Sequence, residues 1–340
     1  MRIIIRTLGL LAILGLLAGC GSKEVRFSGR TMGTVYHIKV VAPYFKQTAF
    51  LKKEIEQRLR EINLSMSTYI PDSEISRFNN ISQVDRPICI SNDFYYVLTV
   101  SARLYQITHR AWDGTVRPLI ALWGFDIPEK TERIPAQKEI DTVLQNIGFD
   151  NIIIQDNQCL IKKNPQIALD LGSIAKGFGT DQIAAMLRKQ GFDNFLVEIG
   201  GEVYASGVRQ NGHEWRIGVN TPLKEAAYNQ VYKMVTLKNK ALATSGDYRK
   251  FFVKSGQRYS HVLDPRTGYP VQNGVISVSV MADDCTLADG LATALMVMGP
   301  DDGLALVKHL DGVECMLVTQ SDDGHLNNYY SSGFNVENEM

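Results

Sequence analysis

Asn194-Phe195-Leu196-Val197-Glu198-Ile199-Gly200-Gly201-Glu202-Val203-Tyr204-Ala205-Ser206 reads as strand and opens a run of short strands. The run continues through 214–219, 231–237, 251–254, 259–263 and 274–281. Upstream, residues 25–43 alternate in strand fashion around Gly29 and Gly33. A hairpin is predicted for 152–154 and 159–162, turning at Asp156-Asn157. Helical periodicity marks 47–61, where Leu51, Ile55, Leu59 and then Ile62 form one stripe. A second helix is expected over 91–108, opened by Ser91-Asn92-Asp93. A strand ending at Leu171 should pass through Gly172 into a helix that stops at Gly191. Two closing helices, 285–298 and 302–310, flank Gly299-Pro300, and the Pro-punctuated stretch 126–141 reads as a surface loop. Strands cluster around hairpin turns instead of alternating with helices, so the fold class is α+β.

Composition narrows the function classes. The 340 residues are 45% hydrophobic and 21% charged, too apolar for a disordered chain. Thirty-six basic side chains balance 36 acidic ones, which argues against holding nucleic acid by bulk phosphate neutralisation. Arg2 and Arg6 precede the apolar run Leu8 to Ala18, followed by Gly19 and Cys20. This order describes a secretory signal peptide over 1–19. Leu17-Ala18-Gly19-Cys20 resembles a bacterial lipobox, with Cys20 acylated, a linker over 20–25 and the folded domain over 26–340. The other reading is a buried N-terminal helix with an incidental Cys. The lipoprotein reading places the chain at the inner membrane, facing the periplasm. Cys89, Cys159, Cys285 and Cys315 show no metal spacing; some could pair in an oxidising compartment, which the sequence does not assign, and their default role is as small buried hydrophobes.

Several constellations bear chemistry. In Asp283-Asp284-Cys285-Thr286-Leu287-Ala288-Asp289-Gly290-Leu291-Ala292-Thr293, Asp289 and Thr293 stand four apart on one helix face. A carboxylate and a hydroxyl without nearby His suit a hard cation such as Mg²⁺, although helix capping and Thr back-bonding account for the same residues. Asp170-Leu171-Gly172-Ser173-Ile174-Ala175-Lys176-Gly177 offers free backbone N–H groups beside Lys176, a setting that attracts phosphate. Neither a Walker A loop nor a Gly-x-Gly-x-x-Gly dinucleotide turn is present. His261 precedes the turn Asp264-Pro265-Arg266-Thr267-Gly268 and titrates in the range of a general base.

The order of these motifs is more specific than any one of them. Thr31-Met32-Gly33-Thr34 comes first, then Met66-Ser67 with Tyr69, then Ala111-Trp112-Asp113-Gly114-Thr115. The 170–177 stretch, Glu198 to Glu202, Thr244-Ser245-Gly246-Asp247-Tyr248, 261–268 and 288–293 follow. This series resembles the FAD:protein FMN transferases, the ApbE family, across nearly all of 26–335. The resemblance implies one two-lobed unit of mainly antiparallel sheet with packed helices and an FAD cleft between the lobes. It also implies Mg²⁺-dependent transfer of FMN from FAD to a Thr or Ser hydroxyl of another protein, releasing AMP.

By match, Met32, Tyr69, Ala111, Trp112 and Asp113 would contact the flavin nucleotide. Asp170 and Lys176 would hold its nucleotide and phosphate portions, with His261 close by as candidate base. Asp264 or a metal-bound water are the other candidates for that role. Asp289, Thr293 and Ser173 would ligate Mg²⁺. The implied partners are exported acceptor flavoproteins, such as subunits of a sodium-pumping NADH:quinone reductase or an Rnf-type complex. A non-catalytic FAD-binding lipoprotein and a Mg²⁺-dependent FAD pyrophosphatase remain as rival readings.

Overall fold

A computed structural model of the chain describes residues 21–126, 133–227, 230–247, 251–321 and 323–337. The signal peptide, Cys20 and Tyr248 lie outside the described residues, as does part of the expected loop at 126–141. Fifteen strands are described: β1 (Ser22–Thr31), β2 (Thr34–Pro43), β3 (Pro87–Cys89), β4 (Ile152–Gln155), β5 (Cys159–Lys162), β6 (Asn194–Ile199), β7 (Glu202–Ser206), β8 (Trp215–Asn220), β9 (Val231–Leu237), β10 (Lys240–Gly246), β11 (Phe251–Lys254), β12 (Gln257–Ser260), β13 (Val275–Ala282), β14 (Glu314–Gln320) and β15 (Leu326–Tyr330). The helices are α1 (Leu51–Met66), α2 (Glu74–Asn79), α3 (Asn92–Ile107), α4 (Arg117–Trp123), α5 (Gln137–Leu144), α6 (Ala175–Lys189), α7 (Cys285–Met298) and α8 (Pro300–Val307).

The main sheet has eight strands in the order β1-β2-β6-β7-β10-β13-β14-β15, and every pairing is antiparallel. The α+β expectation holds. Alternation along β14 shows why the sheet is buried on both faces. Cys315 and Leu317 join the core beneath α7, while Met316 and Val318 face a second core with Trp215 of β8 and Val235 of β9. The β8–β9 hairpin therefore covers the face opposite the helices. The second lobe comprises α4, α5 and the β11–β12 hairpin around Leu119, Trp123, Ile140 and Tyr259, while the small sheet β3-β5-β4 packs Ile152 and Leu160 into the main core.

Several sequence expectations need correction. No strand precedes Gly172: residues 164–171 turn at 165–166 and join no sheet, held where Asn79 of α2 accepts from Leu169 N at 2.7 Å and donates to Leu169 O at 2.9 Å, and where Gly114 O accepts from Asp170 N at 2.8 Å. The loop over 126–141 contains the start of α5, where Glu139 Oε2 accepts from Ala136 N at 2.8 Å. An N-terminal capping contact thus overrides the Pro-rich, polar reading. The expected linker over 20–25 is mostly strand, because β1 begins at Ser22. Cys89 and Cys159 are not separate hydrophobes: a disulfide joins them across β3 and β5, while Cys285 and Cys315 are free and buried as expected. β10, β14 and β15 also went unread, although Asp311-Gly312 and Asp323-Gly324 bracket β14 as turn signals.

Candidate active site

The site begins with the contact between α6 and α7. A Cβ on Gly177 would lie 2.2 Å from the Cys285 carbonyl oxygen, so only glycine lets α7 start against the first turn of α6. One turn along α6, Asp181 takes the exposed amides of α7, accepting from Cys285 N at 2.9 Å and Thr286 N at 2.8 Å. Burial raises the Asp181 carboxyl to about 6, against the hydrogen bonds from Thr286 and Cys285. Asp284 caps the same helix by accepting from Leu287 N at 2.8 Å.

That docking brings Asp289 to Lys176. Asp289 is 1% exposed; its Oδ2 accepts from Gly177 N at 2.9 Å and its Oδ1 lies 3.4 Å from Lys176 Nζ. The same ammonium lies 3.0 Å from Glu202 Oε1 at the start of β7, whose Oε2 is buried without a partner. Burial opposes the charge on Lys176, but Asp289 and Glu202 outweigh it and hold its pKa above the ordinary lysine value. Burial also raises the Glu202 carboxyl, with Lys176 pulling the other way. The β6–β7 turn makes room for the lysine stem: Gly200 has φ +62°, and a Cβ there would meet Thr34 Cγ2 at 2.7 Å and Lys176 Cδ at 3.3 Å.

Around this cluster lies a cavity of about 560 Å³, within the range of small-molecule sites. Its lining joins Ala111, Trp112, Asp113, Asp170, Ser173 and Lys176. His261, Asp289 and Thr293 complete the predicted residues that share it, from segments spread over nearly two hundred positions. Ser173 Oγ accepts from Trp112 Nε1 at 3.0 Å, and Thr293 Oγ1 is 3.1 Å from Ser245 Oγ. Asp170 Oδ1 accepts from Gly172 N at 2.9 Å, and its Oδ2 is 3.5 Å from Arg117.

Two predicted residues stand apart from the cavity lining. Met32 sits in the two-residue β1–β2 turn with φ 49°, half-buried, its methyl against Gly179 of α6. Tyr69 is 86% exposed on the loop after α1. Asp113 lines the cavity, yet its Oδ1 accepts from Thr115 N at 2.8 Å and Thr115 Oγ1 at 2.6 Å, which leaves its backbone as the group turned to a ligand. Asp264, the other base candidate, is held by Arg266 through Nε at 2.9 Å and NH2 at 2.8 Å.

The sequence reading gave no role to Glu202, Asp181, Asn79 or Ser245. The Gly177–Asp181 spacing of four puts a small residue and a carboxylate on one helix face, a pattern shared by many helices that touch nothing. Asn79 and Ser245 carry no local signal, because their partners are 90 and 48 positions away.

An antiparallel eight-stranded sheet with this cleft defines the class of the flavin transferases. A solved flavin transferase from Vibrio cholerae superposes with a TM-score of 0.83 at 38% identity, covering 92% of this chain and 98% of that one. The apo flavinyl transferase of Pseudomonas stutzeri superposes with a TM-score of 0.81 at 33% identity, covering 92% and 95%. The chain belongs to the ApbE family, whose model matches residues 32–317. It is 40% identical over 327 residues to the FAD:protein FMN transferase of Vibrio cholerae, covering 95% of this chain and 96% of the relative. The Haemophilus influenzae protein of the same description is 39% identical over 315 residues, covering 91% and 90%.

Proposed function

We propose that this protein is an FAD:protein FMN transferase that binds FAD in the 560 Å³ cleft and moves FMN onto a Thr or Ser hydroxyl of an acceptor protein. The observation that carries the reading is the Lys176 ammonium, held at 3.0 and 3.4 Å by two buried carboxylates at the mouth of α6. It supplies a fixed positive charge where a pyrophosphate bridge needs one.

In the reaction, the acceptor oxygen bonds to the FMN-side phosphorus as the bond from that phosphorus to the bridging oxygen breaks. AMP leaves with that oxygen, and the hydroxyl proton passes to a base. His261 lines the cleft and is the base favoured here, since Arg266 already occupies the Asp264 carboxylate. Lys176 holds the phosphates, since the expected amides of the 172–176 turn are largely spent, Gly172 N on Asp170 Oδ1 and the Ile174 and Ala175 N on Leu171 O, while Trp112 and the Ala111–Asp113 backbone flank the nucleotide.

Asp289, Thr293 and Ser173 all line the cleft and offer oxygen donors, the ligand type that suits Mg²⁺. When bound, the ion would neutralise charge on the pyrophosphate and on departing AMP. The processing signal at 17–20 supports an acylated Cys20 and a periplasmic address, with exported redox flavoproteins as acceptors.

Incubation with FAD, Mg²⁺ and an acceptor protein should yield covalent flavin fluorescence and AMP in equal amounts. Absence of both would leave the carrier reading, whereas AMP with free FMN at the full rate and no labelled acceptor would make the protein a pyrophosphatase. Asp289→Ala should lose metal-dependent turnover at least a hundredfold and keep part of its FAD affinity. Full activity in that variant refutes the metal assignment.

A further inference from the structure

The chain enters the fold with almost no slack after Cys20. Gly21 is already tied to the body, accepting from Tyr44 N at 3.2 Å, and β1 pairs with β2 from Ser22 opposite Pro43 onward. Gln210 Nε2 reinforces this entry by donating to Ser22 O at 2.7 Å. Consecutive Cα atoms are about 3.8 Å apart, so a lipid on Cys20 leaves the acyl glycerol within one residue of the sheet. The interfacial zone of each leaflet is only roughly 5–8 Å deep. A body tethered that closely must lie against the bilayer at this edge.

The surface at the entry has the chemistry of such a contact. Tyr44 is 63% exposed and Phe45 78%, two neighbouring aromatics with no core to fill. Phe45 borders a shallow groove of about 370 Å³ that also includes Gly21, Pro43, Arg209 and Gln210. Aromatic rings beside a cation at the point of chain entry suit the headgroup layer of a bilayer.

The geometry points to this edge, around Gly21, Tyr44 and Phe45, as a membrane-docking face that seats the folded body directly on the phospholipid headgroups. The inference rests on the acylation of Cys20 proposed above and adds an orientation to it. The ten-residue β1 strand spans about 30 Å at the usual rise. Its far end, the Met32–Gly33 turn, neighbours Gly200, which touches Lys176 through the cleft wall. Docking at the near end of β1 therefore holds the cleft up to about 30 Å from the membrane surface and favours acceptor hydroxyls carried on segments that project from it.

The test uses the full, host-processed protein in phosphatidylethanolamine/phosphatidylglycerol vesicles whose acyl chains carry bromine as quencher. Phe45→Trp is compared with His325→Trp, an exposed position just before β15 at the other end of the sheet from Gly21, after subtracting the parent signal. Mass spectrometry of the N-terminal peptide is run on the same samples. The expected result is an acylated Cys20 and quenching at least threefold greater for Phe45→Trp. Equal quenching with Cys20 acylated overturns the docking face and leaves the lipid anchor standing. An unmodified Cys20 removes the anchor and this inference together. Quenching equal in vesicles, but a Phe45→Trp spectrum that shifts on adding acceptor protein, reassigns the face to protein docking and overturns the proposal.

Discussion

Asp113 lines the cleft with a carboxylate that never leaves the protein. It is 6% exposed and spent on Thr115, and burial raises its pKa to about 6, against those hydrogen bonds. A carboxyl raised in the folded state binds its proton more tightly there than in the unfolded chain. Its stabilising contribution is thus complete below about pH 4 and is lost as pH rises through about 6. The shift corresponds to at most about 3 kcal/mol. Asp113→Asn keeps the Oδ1 acceptor but cannot ionise. Urea unfolding should find it nearly neutral at pH 4 and more stable than the parent at pH 7; a pH-independent difference would refute the assignment. At this scale the sequence was informative about which residues assemble and silent about how they point. Asp113 was legible as a site residue, but its turn toward Thr115 depends on a backbone path that no spacing rule encodes.

The α6–α7 pair is the element on which the site depends. Gly177, Asp181 and Lys176 belong to one helix, Asp289 and Thr293 to the other, and the close start of α7 registers them. Gly177→Ala gains about 1 kcal/mol of helix propensity but sets a methyl 2.2 Å from the Cys285 carbonyl oxygen. Neither helix backbone yields without moving Asp289, whose Oδ2 bonds Gly177 N at 2.9 Å. The net cost should be about 2 kcal/mol in denaturant unfolding, with the metal-dependent rate falling further than stability alone explains. An unchanged rate would mean that the helix register does not govern the cluster. Both helices were legible from periodicity and caps. Their contact was not, because a glycine four before an aspartate is common in helices that touch nothing. The missing strand before Gly172 belongs here too: an apolar stretch reads the same whether sheet neighbours or the Asn79 side chain and the Gly114 carbonyl satisfy its backbone.

Across the whole molecule, the cleft exists because strands from both ends of the chain meet in one sheet, and the second lobe is braced against it. Cys89–Cys159 closes a 70-residue loop by joining β3 to β5 of the small sheet. Cys89→Ala with Cys159→Ala should lower stability by up to about 4 kcal/mol, and a reductant should weaken the parent but not the variant. Equal response of the two proteins to reductant would show that the disulfide carries none of the stability. The sequence by itself determined the α+β class, the sites of most helices and, through the ordered motifs, many of the residues that line the cleft. These follow from local periodicity, capping chemistry and ordered motifs, all of which act within a few residues. Only the tertiary structure decided that Cys89 meets Cys159, that Glu202 shares Lys176 with Asp289, that Met32 and Tyr69 stand off the cavity, and that the chain enters the sheet directly after Gly21. Each of those is a contact between residues far apart in the chain, or its absence, and is set by sheet order and helix docking, which local preferences do not specify.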